Sequence, residues 1–98
     1  MVTDAANGAI LMLAHMDAEA LERTRETGMA HFHSRSRGKL WMKGETSENV
    51  LHVERIRVDC DQDALILECR PVGPACHTGE ITCFYRELEG HALRPVKT

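Results

Sequence analysis

Residues 59–84 carry two polar words, DCDQD and GPACHTGEITCF, separated by a short apolar run, and together they hold three alternating aspartates, three of the four cysteines and one histidine. These are the residue types that hold metals. Three acids within five residues repel one another unless solvated or neutralised, so any fold must leave this segment in water or against a cation. If residues 59–67 are extended, as the apolar residues 64–67 suggest, side chains at i, i+2 and i+4 share one face. Asp59, Asp61 and Asp63 then face one way and Cys60 the other. Carboxylates suit a hard cation such as Mg2+ and a thiolate suits Zn2+, so the segment can serve two metals on opposite faces.

The same residues fit several arrangements. An acidic turn between strands needs no metal, because aspartates cap backbone amides. A calcium loop fits at its first three acidic positions. It fails where glycine is required, at Ala64, and where a bidentate glutamate is required, at Arg70. Six residues separate Cys76 from Cys83, a spacing unlike the tight pairs of zinc fingers and ribbons. Together with Cys60 they make three thiolates, leaving one tetrahedral position open as catalytic zinc requires; three buried thiols is the plainer alternative. Cys69, on the strand face of Leu65 and Leu67, is expected to be such a buried thiol. His52, Glu54, Pro74 and Cys76 suggest a zinc deaminase pattern, but the second cysteine of C-x-x-C is missing. The same absence argues against a dithiol redox protein.

At 98 residues the chain is expected to form one domain, residues 1–98, whose core buries roughly 60–65% of the unfolded surface. Such a modest core gains from a metal or a second subunit. A net charge of -3 and a pI near 6.0 give no general attraction to nucleic acid or membrane. No apolar run approaches the roughly 20 residues of a membrane span, and the opening MVTDAANG lacks a basic region followed by an apolar one, so the expected location is the cytoplasm. Four cysteines without a signal peptide are expected as thiols or metal ligands.

The remaining pattern predicts α+β architecture, mostly antiparallel β with one main helix. Residues 9–14 (AILMLA) form an apolar run of strand length after the turn pair Asn7 and Gly8. Asp17 caps a helix over residues 17–27, with Ala18, Ala20 and Leu21 apolar and Gly28 at the C-terminal cap. Residues 29–42 suggest a strand pair around Arg37 and Gly38, and residues 50–58, 64–69 and 81–85 complete the strands. The facing of residues 50–58 is ambiguous, since apolar side chains fall on both sides. Residues 88–98 read as a polar tail. Between Ser34 and Asn49, Arg35, Arg37, Lys39 and Lys43 lie among hydroxyl residues, which makes a candidate phosphate pocket or a solvated basic hairpin.

The words LMLAHMDAEAL, HSRSRGKLWMKGETSEN, DCDQDAL and GPACHTGEITCF occur in this order over residues 10–84, and the chain thereby resembles the phosphoribosyl-AMP cyclohydrolases of histidine biosynthesis. These enzymes open the adenine ring of their substrate by hydrolysis between N1 and C6. The resemblance implies that Cys60, Cys76 and Cys83 bind catalytic zinc and that Asp59, Asp61 and Asp63 bind Mg2+. It implies an intertwined homodimer, in which Cys60 completes the zinc site of the partner chain. Arg35, Arg37 and Lys43 are then expected at the substrate phosphates. His77 is the expected proton carrier, since an imidazole titrates near neutral pH, with orientation of its loop as the alternative role. Two departures stand out. The lead before the first strand is short, which suggests loss of an edge strand or of part of the dimer contact, and Glu48 occupies a position where the family usually has glycine. A non-catalytic module using zinc only for folding would need a fourth protein ligand, for which His77 is available.

Overall fold

The structure, a computed structural model, describes residues 1–96. Its strands are β1 (Val2–Asp4), β2 (Ile10–Met12), β3 (His31–Ser34), β4 (Lys39–Met42), β5 (Leu51–Val58), β6 (Leu65–Pro71), β7 (Arg86–Glu89) and β8 (Ala92–Pro95), with one helix, α1 (Ala18–Thr27), after β2. The architecture is α+β, as expected. A four-stranded sheet has the order β2-β1-β6-β5, and β3-β4 and β7-β8 are separate hairpins. All pairings are antiparallel except β1 with β6, which is parallel.

The helix follows its sequence signals. Asp17 is extended and its side chain accepts the Ala20 N–H at 2.9 Å. Gly28 has φ 74° and donates to the Thr24 carbonyl, a left-handed cap that glycine adopts without steric cost. Only Ala20 and Thr24 of the helix are buried, so Thr24 supplies the contact that the apolar pattern attributed partly to Ala18. Its hydroxyl donates to the Ala20 carbonyl at 2.8 Å and accepts the His31 N–H at 2.9 Å, tying α1 to β3.

The core gathers Val2, Leu11, Leu51, Leu67 and Cys69, with Phe32 entering from the β3–β4 hairpin, where it packs tilted against Trp41 at a centroid distance of 5.2 Å. Cys69 is fully buried, as expected, and burial pushes its thiol up to about 12. The ambiguous facing of β5 comes from a bulge. The register against β6 jumps between Val53 and Arg55, leaving Glu54 without a partner. Leu51 and Val53 face the core before the bulge, and Ile56 returns to it afterwards.

Four expectations are corrected. Val2–Asp4 is an inner strand, bonded on both edges, although only the later apolar run was expected as the first strand. Residues 59–63 are not extended: they form the turn between β5 and β6, with Gln62 at φ 64°. Residues 81–85 form no strand. Thr82 spends its hydroxyl on the Ile10 carbonyl at 2.6 Å and on the Phe84 N–H at 3.0 Å, and only Cys83 bonds β2 through its backbone, at 2.7 Å to Leu11. The expected polar tail contains the exposed β7–β8 hairpin, whose packing is chiefly with itself; residues 97–98 lie outside the described residues. Leu88 stands opposite Leu93 in this hairpin, a cross-strand pair that a polar composition conceals. No helix among the described residues is long and apolar enough to cross a membrane.

Candidate active site

The acidic turn is organised by Asp59. Its Oδ1 accepts the N–H groups of Asp63 and Ala64 at 3.0 and 3.1 Å, and its backbone N–H donates to the Ala64 carbonyl at 3.1 Å. This folding, and not strand alternation, brings Asp59, Asp61 and Asp63 together, with one ligand oxygen from each lying within 4.8 Å of the others. The hydrogen bond from the Ala64 amide holds Asp59 below the usual carboxylate range. Asp63 is pushed up by its hydrogen bonds to Asp61 and Asp59 and by the charge of Asp59. Three exposed carboxylates converging on one point make an oxygen donor set suited to a hard divalent cation. Cys60, on the same turn, is exposed.

The thiol loop is closed by its own backbone. Ala75 donates to Ile81 and Cys76 to Glu80, each at 3.1 Å, and Gly79 donates to Cys76 at 3.0 Å. Cys76 is buried, and the Cys83 backbone bond to β2 leaves the second thiol near enough to the first for each to shift the other's titration. The Thr78 hydroxyl donates to the Cys76 sulfur at 3.0 Å and lowers its pKa. Burial raises that of Cys83, the adjacent Cys76 adds to the rise, and the Lys43 ammonium opposes it. Two neighbouring sulfurs, one of them favoured as thiolate, are donors suited to a soft cation. Two of the three expected zinc ligands therefore fit such a cation.

Cys60 does not join them within one chain. Among the described residues the three aspartates are the only group of three or more potential ligands converging within 4.8 Å. His77 is exposed, and the backbone bonds that close its loop are made by its neighbours. Among the described residues no four-ligand set forms around Cys76, such as a zinc used only for folding would need. Arg35 and Arg37 are exposed in the β3–β4 turn and Lys43 is half-buried at its base; none of the three forms an ion pair among the described residues.

Residue order alone does not reveal Thr78 or the Asp17–His33 pair. Thr78 stands two residues after a cysteine, a spacing at which a hydroxyl can turn back to the sulfur. Asp17 caps α1 with one oxygen and meets His33 Nδ1 with the other at 3.1 Å, fixing the helix start to the strand that leads into the arginine turn.

Fold and site together define a small α+β protein with a cluster of three carboxylates on one loop and two thiols on another. Residues 12–85 match the family model of phosphoribosyl-AMP cyclohydrolase. The chain is 58% identical to the phosphoribosyl-AMP cyclohydrolase of Rhizorhabdus wittichii over all 98 of its residues and 79% of that protein. It is 62% identical to that of Sphingopyxis alaskensis over 91% of this chain and 71% of the relative, and 54% identical to that of Methanosarcina mazei over 95% and 78%. The chain belongs to the phosphoribosyl-AMP cyclohydrolase family, a family of enzymes.

Proposed function

We propose that this protein is a metal-dependent hydrolase that opens the adenine ring of 1-(5-phosphoribosyl)-AMP between N1 and C6, giving an aminoimidazole carboxamide in histidine biosynthesis. Family membership supports the substrate, and the observation that carries the chemistry is the meeting of Cys76 and Cys83 where loop and sheet join. The working form is a cytoplasmic homodimer. Cys60, exposed and apart from the other two sulfurs, is available to a second copy and supplies the third sulfur there. Cys76, Cys83 and that Cys60 would hold zinc, which would supply Lewis acidity toward solvent. Asp59, Asp61 and Asp63 would hold Mg2+.

The chain's own groups do the rest. Arg35 and Arg37 fork onto substrate phosphate oxygens, and Lys43, at the edge of the thiol loop, adds a point charge. His77 lies exposed beside Cys76, where an imidazole takes a proton from solvent and returns it to N1 as the ring bond breaks. The water adds at C6, its oxygen to the carbon and one proton to the exocyclic nitrogen; the C6–N1 bond then breaks as the carbonyl forms, and the electron pair leaves on N1 with the second proton.

Ultraviolet absorbance during incubation with phosphoribosyl-AMP tests the activity, because opening the purine changes its chromophore. Cys76→Ala and Cys83→Ala should each abolish ring opening and lower bound zinc; full activity in either excludes the site. Mixing inactive Cys60→Ala and Cys76→Ala chains should restore part of the activity, since one of two sites then receives all its ligands. No recovery after verified subunit exchange overturns the sharing of sulfurs.

A further inference from the structure

We infer that Asn49 is a positioning residue whose carboxamide, lying against Gly73, sets how the thiol loop lies against residues 43–50; this rests on Cys76 and Cys83 forming the reacting centre. Asn49 is approached closely by Gly44 of its own turn and by Gly73, which is remote in sequence. A Cβ on Gly73 would collide with Asn49 Oδ1 and stand 3.1 Å from its Cγ, so the carboxamide lies directly over the Gly73 backbone. A Cβ on Gly44 would stand 2.6 Å from the Asn49 carbonyl carbon and 2.5 Å from the Val50 nitrogen, so the Asn49 backbone is pressed as closely from below. The Asn49 side chain makes no hydrogen bond among the described residues, and its place is set by shape.

The turn that delivers Asn49 is itself constrained. Glu48 has φ 67°, left-handed backbone that a non-glycine residue adopts at a cost, and its N–H donates to the Gly44 carbonyl at 2.8 Å. Beyond Asn49, Val72 donates to the Val50 carbonyl at 3.1 Å, which stitches the two loops where the thiol loop begins. The segment 43–50 thus meets the thiol loop at its start, through the Asn49 carboxamide on Gly73 and the Val50 carbonyl on Val72. Cys76 follows Gly73 by three residues, and a displacement at Gly73 is passed along this short segment to the sulfur.

A double-mutant cycle on the full protein tests the brace. Gly73→Ala should lower kcat by about tenfold or more with KM within about twofold, the signature of a displaced reacting group and not of lost binding. Asn49→Ala should lower kcat severalfold, whereas the isosteric Asn49→Asp should keep most of it. In the Asn49→Ala background, adding Gly73→Ala should cost less than about twofold, because the carboxamide it would strike is gone. The rate of Cys76 alkylation by iodoacetamide in metal-free protein, followed by peptide mass, should change in Gly73→Ala and return toward the Asn49→Ala value in the double variant.

Equal cost of Gly73→Ala in both backgrounds overturns the inference, as does a cost confined to KM with Cys76 alkylation unchanged. If Gly73→Ala does not fold, a folded double variant supports the clash and an unfolded one refutes it. If wild-type protein opens no ring, the functional reading fails, and the alkylation measurements still decide whether Asn49 positions the loop.

Discussion

The acidic turn draws its three carboxylates from five consecutive residues, whereas the thiol loop, besides its own backbone bonds, is tied at Cys83 to β2 through Leu11. In the first, hydrogen bonds between neighbours, centred on Asp59, suffice. In the second, a strand far away in sequence bonds Cys83, and the Asn49 carboxamide packs against Gly73. The acidic site is therefore a local structure that tolerates distant changes, and the thiol site reports on the packing of the whole sheet.

The largest expected effect comes from breaking the second without touching the first. Leu11→Ala removes a buried side chain from the strand that carries Cys83, and should cost about 2–5 kcal/mol in chemical denaturation. Where the variant still folds, Cys76 should become faster to alkylate while Mg2+ binding is retained. Loss of Mg2+ binding in folded protein would show that the two sites are not independent. In wild-type protein Cys60, being exposed, should alkylate before Cys69, whose thiol burial pushes up to about 12.

The converse change is Asp63→Asn, which should weaken Mg2+ binding at least about tenfold in calorimetry and leave Cys76 alkylation unaltered. It should also stabilise metal-free protein at neutral pH, because it removes one of three crowded charges. Asp63 has a folded pKa above its unfolded value, so the charge penalty is absent at low pH and develops as pH rises through the folded pKa. The gain in melting temperature should accordingly shrink toward acid, and a gain that grows on acidification would contradict the repulsion.

Smaller effects sharpen the contrast. Thr82→Val removes the hydroxyl that bridges Ile10 and Phe84 and should cost about 1 kcal/mol, with Cys83 alkylating faster. Glu48→Gly relieves left-handed backbone and should gain up to about 1 kcal/mol in melting experiments; destabilisation would mean that the glutamate side chain contributes more than its backbone costs.

The glycine that the resemblance leads one to expect at position 48 has a structural reason: the GETSEN turn places Glu48 at φ 67°, where glycine is unstrained. The short lead before the apolar run, by contrast, contains a strand. β1 is only three residues long and its parallel partner β6 lies in the second half of the chain, so no local periodicity announces it. The bulge at Glu54 likewise scrambles the alternation of β5, and only the register against β6 makes its facing intelligible. The β7–β8 hairpin is hidden by charged residues alternating with its few apolar ones.

Residue chemistry and local signals were determined by the sequence itself: the carboxylates, the thiols, the helix between Asp17 and Gly28, and the words that mark the family. Those properties belong to individual side chains or to neighbours within a few residues, and they survive translation into any fold. The convergence of the aspartates through a turn, the meeting of Cys76 with Cys83, and the close approach of Asn49 to Gly73 were decided by tertiary structure. Each depends on backbone direction or on contact between segments remote along the chain, which residue order leaves open until the strands pair.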